Sequence, residues 1–346
     1  MSGAQADSAS IKPLLEALRA RQDWAPEQTR AFMTQLMSGE LRTEDVVEAL
    51  ELLRAKGETA SEITEAARAM RSAGVRVQPG LDGVLDTCGT GGDGSCTVNV
   101  SSIVSLIAAA AGVPVAKHGN RAVSGVCGSA DFLSAIGVPL ETAPGKLVEG
   151  LKKTNFAFFY APQFHPSVRH AAAARKTITG RTLFNCLGPI TNPAGATHQL
   201  IGVYESRLVT LVAEALGALG SKHAIVVHSE DGLDEVSPAA PTQVAEWENG
   251  VLRQYIFTPE EGGVTRAAEG TLRSDNAQSA VREGLAIIDG IEGPKTDLVV
   301  LNAAFALKAA DRARTVKEGA ELARLLLRNG SVRRKVAEIT DFYQQN

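Results

Sequence analysis

Between residues 10 and 74, apolar positions recur at helical spacing with charged residues between them; Leu36, Leu41, Val46, Val47, Leu50, Leu52 and Leu53 mark one such run. Thr59 followed by Glu62 has the spacing of a capping box, in which each side chain satisfies the other residue's backbone N–H. Ile63, Ala66, Ala67 and Met70 then share one face, and Gly74 supplies the stop. No period-two alternation interrupts this stretch, so it is expected to be all helical. After Gly80 the pattern changes. The apolar run at 83–86 leads into a glycine-rich loop at 88–94, residues 100–111 read as an apolar helix ended by Gly112, and 113–116 read as a second strand. Strand, loop, helix and strand make a βαβ unit with parallel strands and a right-handed crossover. Residues 156–159, 200–203, 224–227 and 298–301 are further strand candidates. Helices are expected over 208–219 and 279–288, and over 316–327, where the helix should cover the sheet. The fold class is therefore α/β, a small all-helical domain followed by a larger α/β domain with a mainly parallel sheet.

Composition narrows the chemistry. With 346 residues, 44% hydrophobic and 21% charged, the chain can bury a core without disulfides or a structural metal. A net charge of −4 argues against a protein that coats nucleic acid or anionic lipid. Cys88, Cys96, Cys127 and Cys186 form no C-x-x-C pair and no zinc-type spacing with histidine, which suits reduced thiols in the cytoplasm. The most apolar run, 103–116, is broken by Ser105, Gly112 and Pro114 and is too short to span a bilayer. The first residues lack a basic-then-apolar signal pattern, so an intracellular, membrane-free protein is expected.

Four segments carry candidate chemistry. In the first, Gly89, Gly91 and Gly94 spell the dinucleotide fingerprint, but a nicotinamide site needs an acidic residue at the end of the next strand, and Lys117 stands there. No Walker-type lysine follows either. The glycines still leave backbone N–H groups free to converge on an anion at a helix start, where Thr97, Asn99, Ser101 and Ser102 add neutral donors. That set suits a polyphosphate; the same residues would also make an ordinary glycine turn with an Asn/Ser cap. The second segment follows the next strand, so it should lie beside the first: Lys117 and Arg121 supply charge, Asn120 and Ser124 directional hydrogen bonds, with His118 between them. In the third, Asp234 and Glu235 beside a phosphate site suit a hard cation such as Mg²⁺, or form a solvated acidic turn. The fourth runs from Phe164 to Arg175. His165 and His170 miss the spacing of a zinc pair, Pro166 can open a helix, and Arg169 or Arg175 could meet a substrate carboxylate. The turn-rich stretch 185–193 reads as a hinge or cleft wall.

These motifs occur together and in order: G-T-G-G-D at 89–93, N-V-S-S at 99–102, K-H-G-N-R at 117–121, G-S-A-D at 128–131, L-G-P-I-T-N-P at 187–193 and G-L-D-E at 232–235. In this the chain resembles the anthranilate phosphoribosyltransferases, tryptophan-pathway enzymes that join anthranilate to phosphoribosyl pyrophosphate (PRPP). The resemblance implies a nucleoside-phosphorylase-like fold. Its helical domain would comprise residues 1–78 plus a mid-chain segment near 170–190, and its α/β domain the rest of 79–346. It further implies a homodimer joined through the helical domains and two Mg²⁺ per subunit. By carry-over, PRPP would meet Gly89, Gly92, Asp93, Thr97, Asn99, Ser101, Ser102, Lys117, Gly119, Asn120, Arg121, Ser124 and Ser129. Anthranilate would meet Gly89, His118, Asn120, Arg175 and Gly188, with Arg175 on its carboxylate. One Mg²⁺ would take Ser101 and Glu235, the other Asp234 and Glu235, and no residue is assigned as general acid or base. Four features depart from the family pattern: Ser102 for threonine, Gly125 for a second loop serine, Val168 for a larger residue, and the Pro238–Pro241 sequel to the acidic pair. A pyrimidine nucleoside phosphorylase would share the fold and an anion site but has less use for adjacent Asp234 and Glu235. A nucleic-acid-binding relative would show a basic groove and lose the metal residues.

Overall fold

The structure, a computed structural model, describes residues 11–91, 96–121, 127–268 and 270–344. Four helices open it: α1 (Lys12–Arg19), α2 (Pro26–Ser38), α3 (Thr43–Lys56) and α4 (Ala60–Ala73). The seven apolar positions between 36 and 53 are thus divided, with Leu36 in α2, Leu41 in the turn and the rest in α3, and the break falls at Gly39, whose φ of 77° ends α2. The capping box forms as the spacing requires: Glu62 N–H donates to Thr59 Oγ1 at 3.2 Å and Thr59 N–H to Glu62 Oε2 at 2.9 Å. Glu62 is fully buried, and its carboxylate also accepts from Trp24 N–H and from Lys56 Nζ, so it ties the starts of α2 and α4 together.

The α/β part follows: β1 (Leu85–Gly89), α5 (Val100–Ala110), β2 (Val115–Gly119), α6 (Ser129–Ala135), α7 (Pro144–Thr154) and β3 (Phe156–Tyr160). Then come α8 (Ala161–Phe164), a 3₁₀ turn (Pro166–Ala171), α9 (Ala172–Thr177) and α10 (Leu183–Leu187). The chain continues through β4 (His198–Gly202), α11 (Leu208–Ala218), β5 (His223–Ser229), β6 (Thr242–Glu248) and β7 (Val251–Phe257). It closes with α12 (Ala277–Ile288), α13 (Pro294–Ala309), α14 (Val316–Arg328) and α15 (Ser331–Gln344). The strands form one sheet in the order β3-β2-β1-β4-β5-β6-β7, parallel from β3 to β5 and antiparallel thereafter. β1 and β4 pair in full register from Leu85 with His198 to Gly89 with Gly202, so their carboxyl ends finish level.

Alternate residues of the strands face two different cores, as the pleat demands. Leu200, Ile225 and Val227 join α5 and α13 on one face. Ile201, Ala224 and Val226 join α11 on the other, and that core runs on without a break into α1–α4, α9 and α10.

Two expectations change. Residues 298–301 are not a strand but the interior of α13, whose residues are buried on all sides. A continuous apolar run carries no period, so only length and the Pro294 start separate a buried helix from a buried strand. The helix at 316–328 does not lie on the sheet; it packs on α13, which does. The β6–β7 hairpin is additional, turned at Asn249 and Gly250 with φ of 47° and 89°, the signature of a tight Asn-Gly turn. Among the described residues, no helix is long and apolar enough to cross a membrane.

Candidate active site

The carboxyl ends of β1, β2 and β4 all finish in glycine, and each gives up a side chain to make room. A Cβ on Gly89 would come within 2.5 Å of Asp234 Oδ2, one on Gly119 would strike the Ser129 hydroxyl, and one on Gly202 would overlap the Asp234 carbonyl oxygen. The strand ends thereby open a cleft of about 780 Å³. It brings together Gly89 from the end of β1, Thr97, Asn99 and Ser101 from the following loop and the first turn of α5, Lys117, His118 and Gly119 from the end of β2, Asn120 and Arg121 just beyond it, and Ser129 at the start of α6. Asp234 and Glu235 reach it from the acidic turn, and Arg175 and Gly188 from the helical side. Ser102 stands apart: its side chain is fully buried within α5 and does not line the cleft, because it falls on the core face of that helix. Gly92, Asp93, Ser124 and Gly125 lie outside the described residues.

Lys117 is the buried cation at the floor. Its Nζ donates to the Thr87 carbonyl at 2.7 Å and to Ser101 Oγ at 3.2 Å. Burial lowers its pKa, against the pull of Asp86. Asp86 is also fully buried; desolvation pushes it up to about 6, opposed by Lys117 and by hydrogen bonds from Asn192 Nδ2 and the His118 N–H. Asn192 Nδ2 donates to the Ala116 carbonyl too, so it fastens the 185–193 stretch to β2. Neither Asp86 nor Asn192 has a task on the sequence alone; the signals that mark them are a polar residue inside an apolar strand and an Asn between two turns.

The His118 and His165 rings lie side by side, centroids 5.1 Å apart and planes tilted by 59°. His118 Nδ1 sits 3.0 Å from the Gly188 carbonyl and His165 Nε2 3.0 Å from the Thr191 carbonyl. A carbonyl only accepts, so each of those nitrogens carries a proton; the opposite nitrogens, His118 Nε2 and His165 Nδ1, are buried without a hydrogen-bond partner, which suits neutral rings. Burial lowers both: His118 to about 3, helped by His165, and His165 to about 4. The unfolded chain takes up these protons near the ordinary histidine value, whereas the fold refuses them. Their share of stability is therefore complete above about pH 6.5 and is lost as the pH falls towards the folded values. Urea midpoints measured from neutral to acid pH should fall in the wild type, and His118→Gln should flatten that slope; an unchanged slope would contradict the assignment.

The helical side supplies Arg175 at the end of α9, half-buried, with its guanidinium carbon 5.3 Å from the Phe184 ring centroid. Burial lowers its pKa and, among the described residues, no carboxylate is paired with it. Pro166 opens a 3₁₀ turn rather than an α-helix, and α9 continues from it, which leaves Arg169 exposed. A half-buried cation without a counter-ion suits an anionic substrate group.

Asp234 Oδ2 accepts the Gly91 N–H at 2.7 Å. The residue after Glu235 is pinned by buried Asn302, whose amide exchanges two hydrogen bonds with the Val236 backbone, at 2.9 and 3.0 Å. Two carboxylates and the Ser101 hydroxyl are hard oxygen donors, the set that suits Mg²⁺ completed by substrate phosphates and water. Among the described residues no group of three or more His, Cys, Asp or Glu is placed to hold a metal ion.

A helical bundle against an α/β sheet, with a cleft at the strand ends, is the architecture of a class of glycosyl-transferring enzymes. The family described as "Glycosyl transferase family, helical bundle domain" matches residues 12–74, and "Glycosyl transferase family, a/b domain" matches 81–333. Anthranilate phosphoribosyltransferase of Symbiobacterium thermophilum is 44% identical over 96% of this chain and 97% of its own length. That of Alkalilimnicola ehrlichii is 47% identical over 88% and 90%. The crystal structure of the enzyme from Thermus thermophilus superposes with a TM-score of 0.89 at 37% identity, covering 95% of this chain and 99% of that one. The Saccharomyces cerevisiae enzyme in complex with PRPP and Mg has a TM-score of 0.88 at 24% identity, covering 98% and 99%. The chain belongs to the anthranilate phosphoribosyltransferase family.

Proposed function

We propose that this protein transfers the phosphoribosyl group of PRPP to the amine of anthranilate, giving N-(5-phosphoribosyl)anthranilate and pyrophosphate, the second step from chorismate to tryptophan. The observation that carries the reading is the convergence of the two phosphate loops, the Asp234–Glu235 turn and Arg175 on one cleft. Gly89, Thr97, Asn99, Ser101, Lys117, Gly119, Asn120, Arg121 and Ser129 take PRPP, together with Gly92, Asp93 and Ser124. Arg175 pairs with the anthranilate carboxylate, and Asn120, His118, Gly89 and Gly188 border its ring and amine.

Ser101 and Glu235 would hold one Mg²⁺, Asp234 and Glu235 a second. Bound there, the cations neutralise charge on the pyrophosphate. The protein's own part is electrostatic and positional. Lys117 and the backbone N–H groups of the glycine loop favour the charge that grows as the C1–oxygen bond lengthens. The electron pair of that bond leaves with pyrophosphate, C1 gains oxocarbenium character, the amine lone pair forms the new C1–nitrogen bond, and the nitrogen then gives up one proton to water. An aromatic amine is neutral and nucleophilic at physiological pH, so orientation by Arg175 and Asn120 contributes most on the acceptor side.

In this reading residues 1–78 with the segment near 170–190 form one lobe and the remaining residues the other, and the cleft closes between them once PRPP is bound. A second copy would dock on the helical lobe, where Leu14, Leu41, Val47 and Leu52 are left partly uncovered. The four unpaired cysteines suit the cytoplasm. Calorimetry should show tight PRPP binding with Mg²⁺ and much weaker binding in chelator; equal affinity in both would count against the cation assignment.

A further inference from the structure

Gly91, the last described residue of the first loop, is gripped through both of its backbone groups. Its N–H donates to Asp234 from the sheet side, and its carbonyl accepts a hydrogen bond from Arg181 Nη1 on the helical side. Gly91 has a φ of 65°, a left-handed conformation with open space where a side chain would be, so the backbone there has little steric restraint of its own. The residue before it is tied down as well. Thr90 N–H donates to the Gly202 carbonyl at 2.9 Å, and Thr90 Oγ1 accepts from Tyr204 N–H at 3.0 Å.

Arg181 is itself held in place. Its guanidinium packs against Tyr204, with the central carbon 4.1 Å from the ring centroid, and Tyr204 is the residue whose N–H binds Thr90. The backbone that carries Arg181 is fixed to the helical bundle: Arg54 of α3 donates to the Thr179 carbonyl at 2.6 Å, and Ile178 and Leu183 on either side are buried in the bundle's core. The same short segment bears Arg175, six positions earlier, and Phe184, three positions later, both lining the cleft. One guanidinium therefore bridges the element that faces the acceptor to the loop that faces the donor.

We propose that Arg181 is a positioning residue for the phosphate site: it fixes the Gly91 peptide from across the cleft and so ties the donor loop to the acceptor-binding segment. This rests on the PRPP-binding reading above. Arginine is required rather than any cation, because it must pack on Tyr204 and donate in its own plane at the same time, which a lysine ammonium cannot do. Removing one charge-assisted hydrogen bond from a half-exposed site should weaken PRPP binding by about tenfold.

The test compares wild type, Arg181→Lys and Arg181→Gln by PRPP calorimetry with Mg²⁺, thermal unfolding, and hydrogen exchange of the ligand-free protein. In Arg181→Gln the PRPP Kd should rise by about tenfold, with faster amide exchange confined to peptides spanning 85–91 and an unchanged unfolding midpoint. Arg181→Lys should fall between the two. Unchanged affinity with unchanged exchange would overturn the proposal. So would a loss of affinity that tracks a lowered midpoint and faster exchange throughout the α/β part, since that describes general destabilisation. If wild type itself fails to bind PRPP, the proposed function falls, while faster exchange confined to 85–91 still supports the Gly91 clamp and unchanged exchange still overturns it.

Discussion

Arg175→Ala should lose anthranilate and keep PRPP. The guanidinium is half-buried, its pKa lowered by desolvation, and no carboxylate among the described residues balances it. Its position between the α9 terminus and the Phe184 ring leaves it facing the cleft. Truncating one partner of a buried charge pair removes roughly 2–5 kcal/mol of binding, or about thirtyfold to several thousandfold in affinity. Steady-state kinetics should therefore show the anthranilate KM rising by at least about thirtyfold, with the PRPP KM little changed. Arg175→Lys should recover part of the loss, as a point charge without the planar fork. Equal effects on both substrates would remove Arg175 from the acceptor site.

The second large effect is expected at a residue that touches no substrate. A methyl group on Gly202 would overlap the Asp234 carbonyl, a backbone atom that cannot turn aside as a side chain can. Its neighbourhood is closed on every side: Gly202 pairs with Gly89 in β1 and with Val227 in β5, and Asn302 grips Val236 two residues past Asp234. Gly202→Ala must push the acidic turn away from the strand ends. Overpacking of this kind costs about 1–3 kcal/mol or more, and it displaces Asp234 from the Gly91 N–H. The variant should unfold at lower temperature and lose Mg²⁺-dependent PRPP binding altogether. Gly195→Ala is a useful control for general intolerance, as nothing lies within reach of its added carbon; only the strain of its φ of 66° would register. A Gly202→Ala protein with wild-type PRPP affinity would contradict the packing argument.

Much of this arrangement is legible in the chain. The capping box at Thr59 and Glu62 is local chemistry, and it forms with the partners the spacing names. The βαβ unit at 85–119 follows from two short apolar runs parted by a glycine loop and an apolar helix, though each strand runs about three residues further than those runs. Parallel strand ends then force the two glycine-containing loops together. What the sequence could not reveal is long-range. Residues 298–301 are as apolar and as buried as the strand at 224–227, and only the length of the run and its Pro294 start mark the helix. Ser102 sits one position from Ser101, yet one step along a helix turns a side chain by about 100°, from cleft to core. Asp86, Asn192 and Arg181 act through partners distant in the chain, such as Asn192 and Asp86 at a separation of 106. No pattern in one sequence announces such pairs. The three strand-end glycines are similar: each is visible as a glycine, but the atom it makes room for belongs to another element.

The most direct test of the central claim is the loss of anthranilate fluorescence on mixing purified protein, PRPP and Mg²⁺, with each component omitted in turn. Consumption is expected only when all are present, with release of one pyrophosphate for each anthranilate consumed. Anthranilate that survives in the complete mixture, while PRPP binds normally, would contradict the claim and point to a different acceptor.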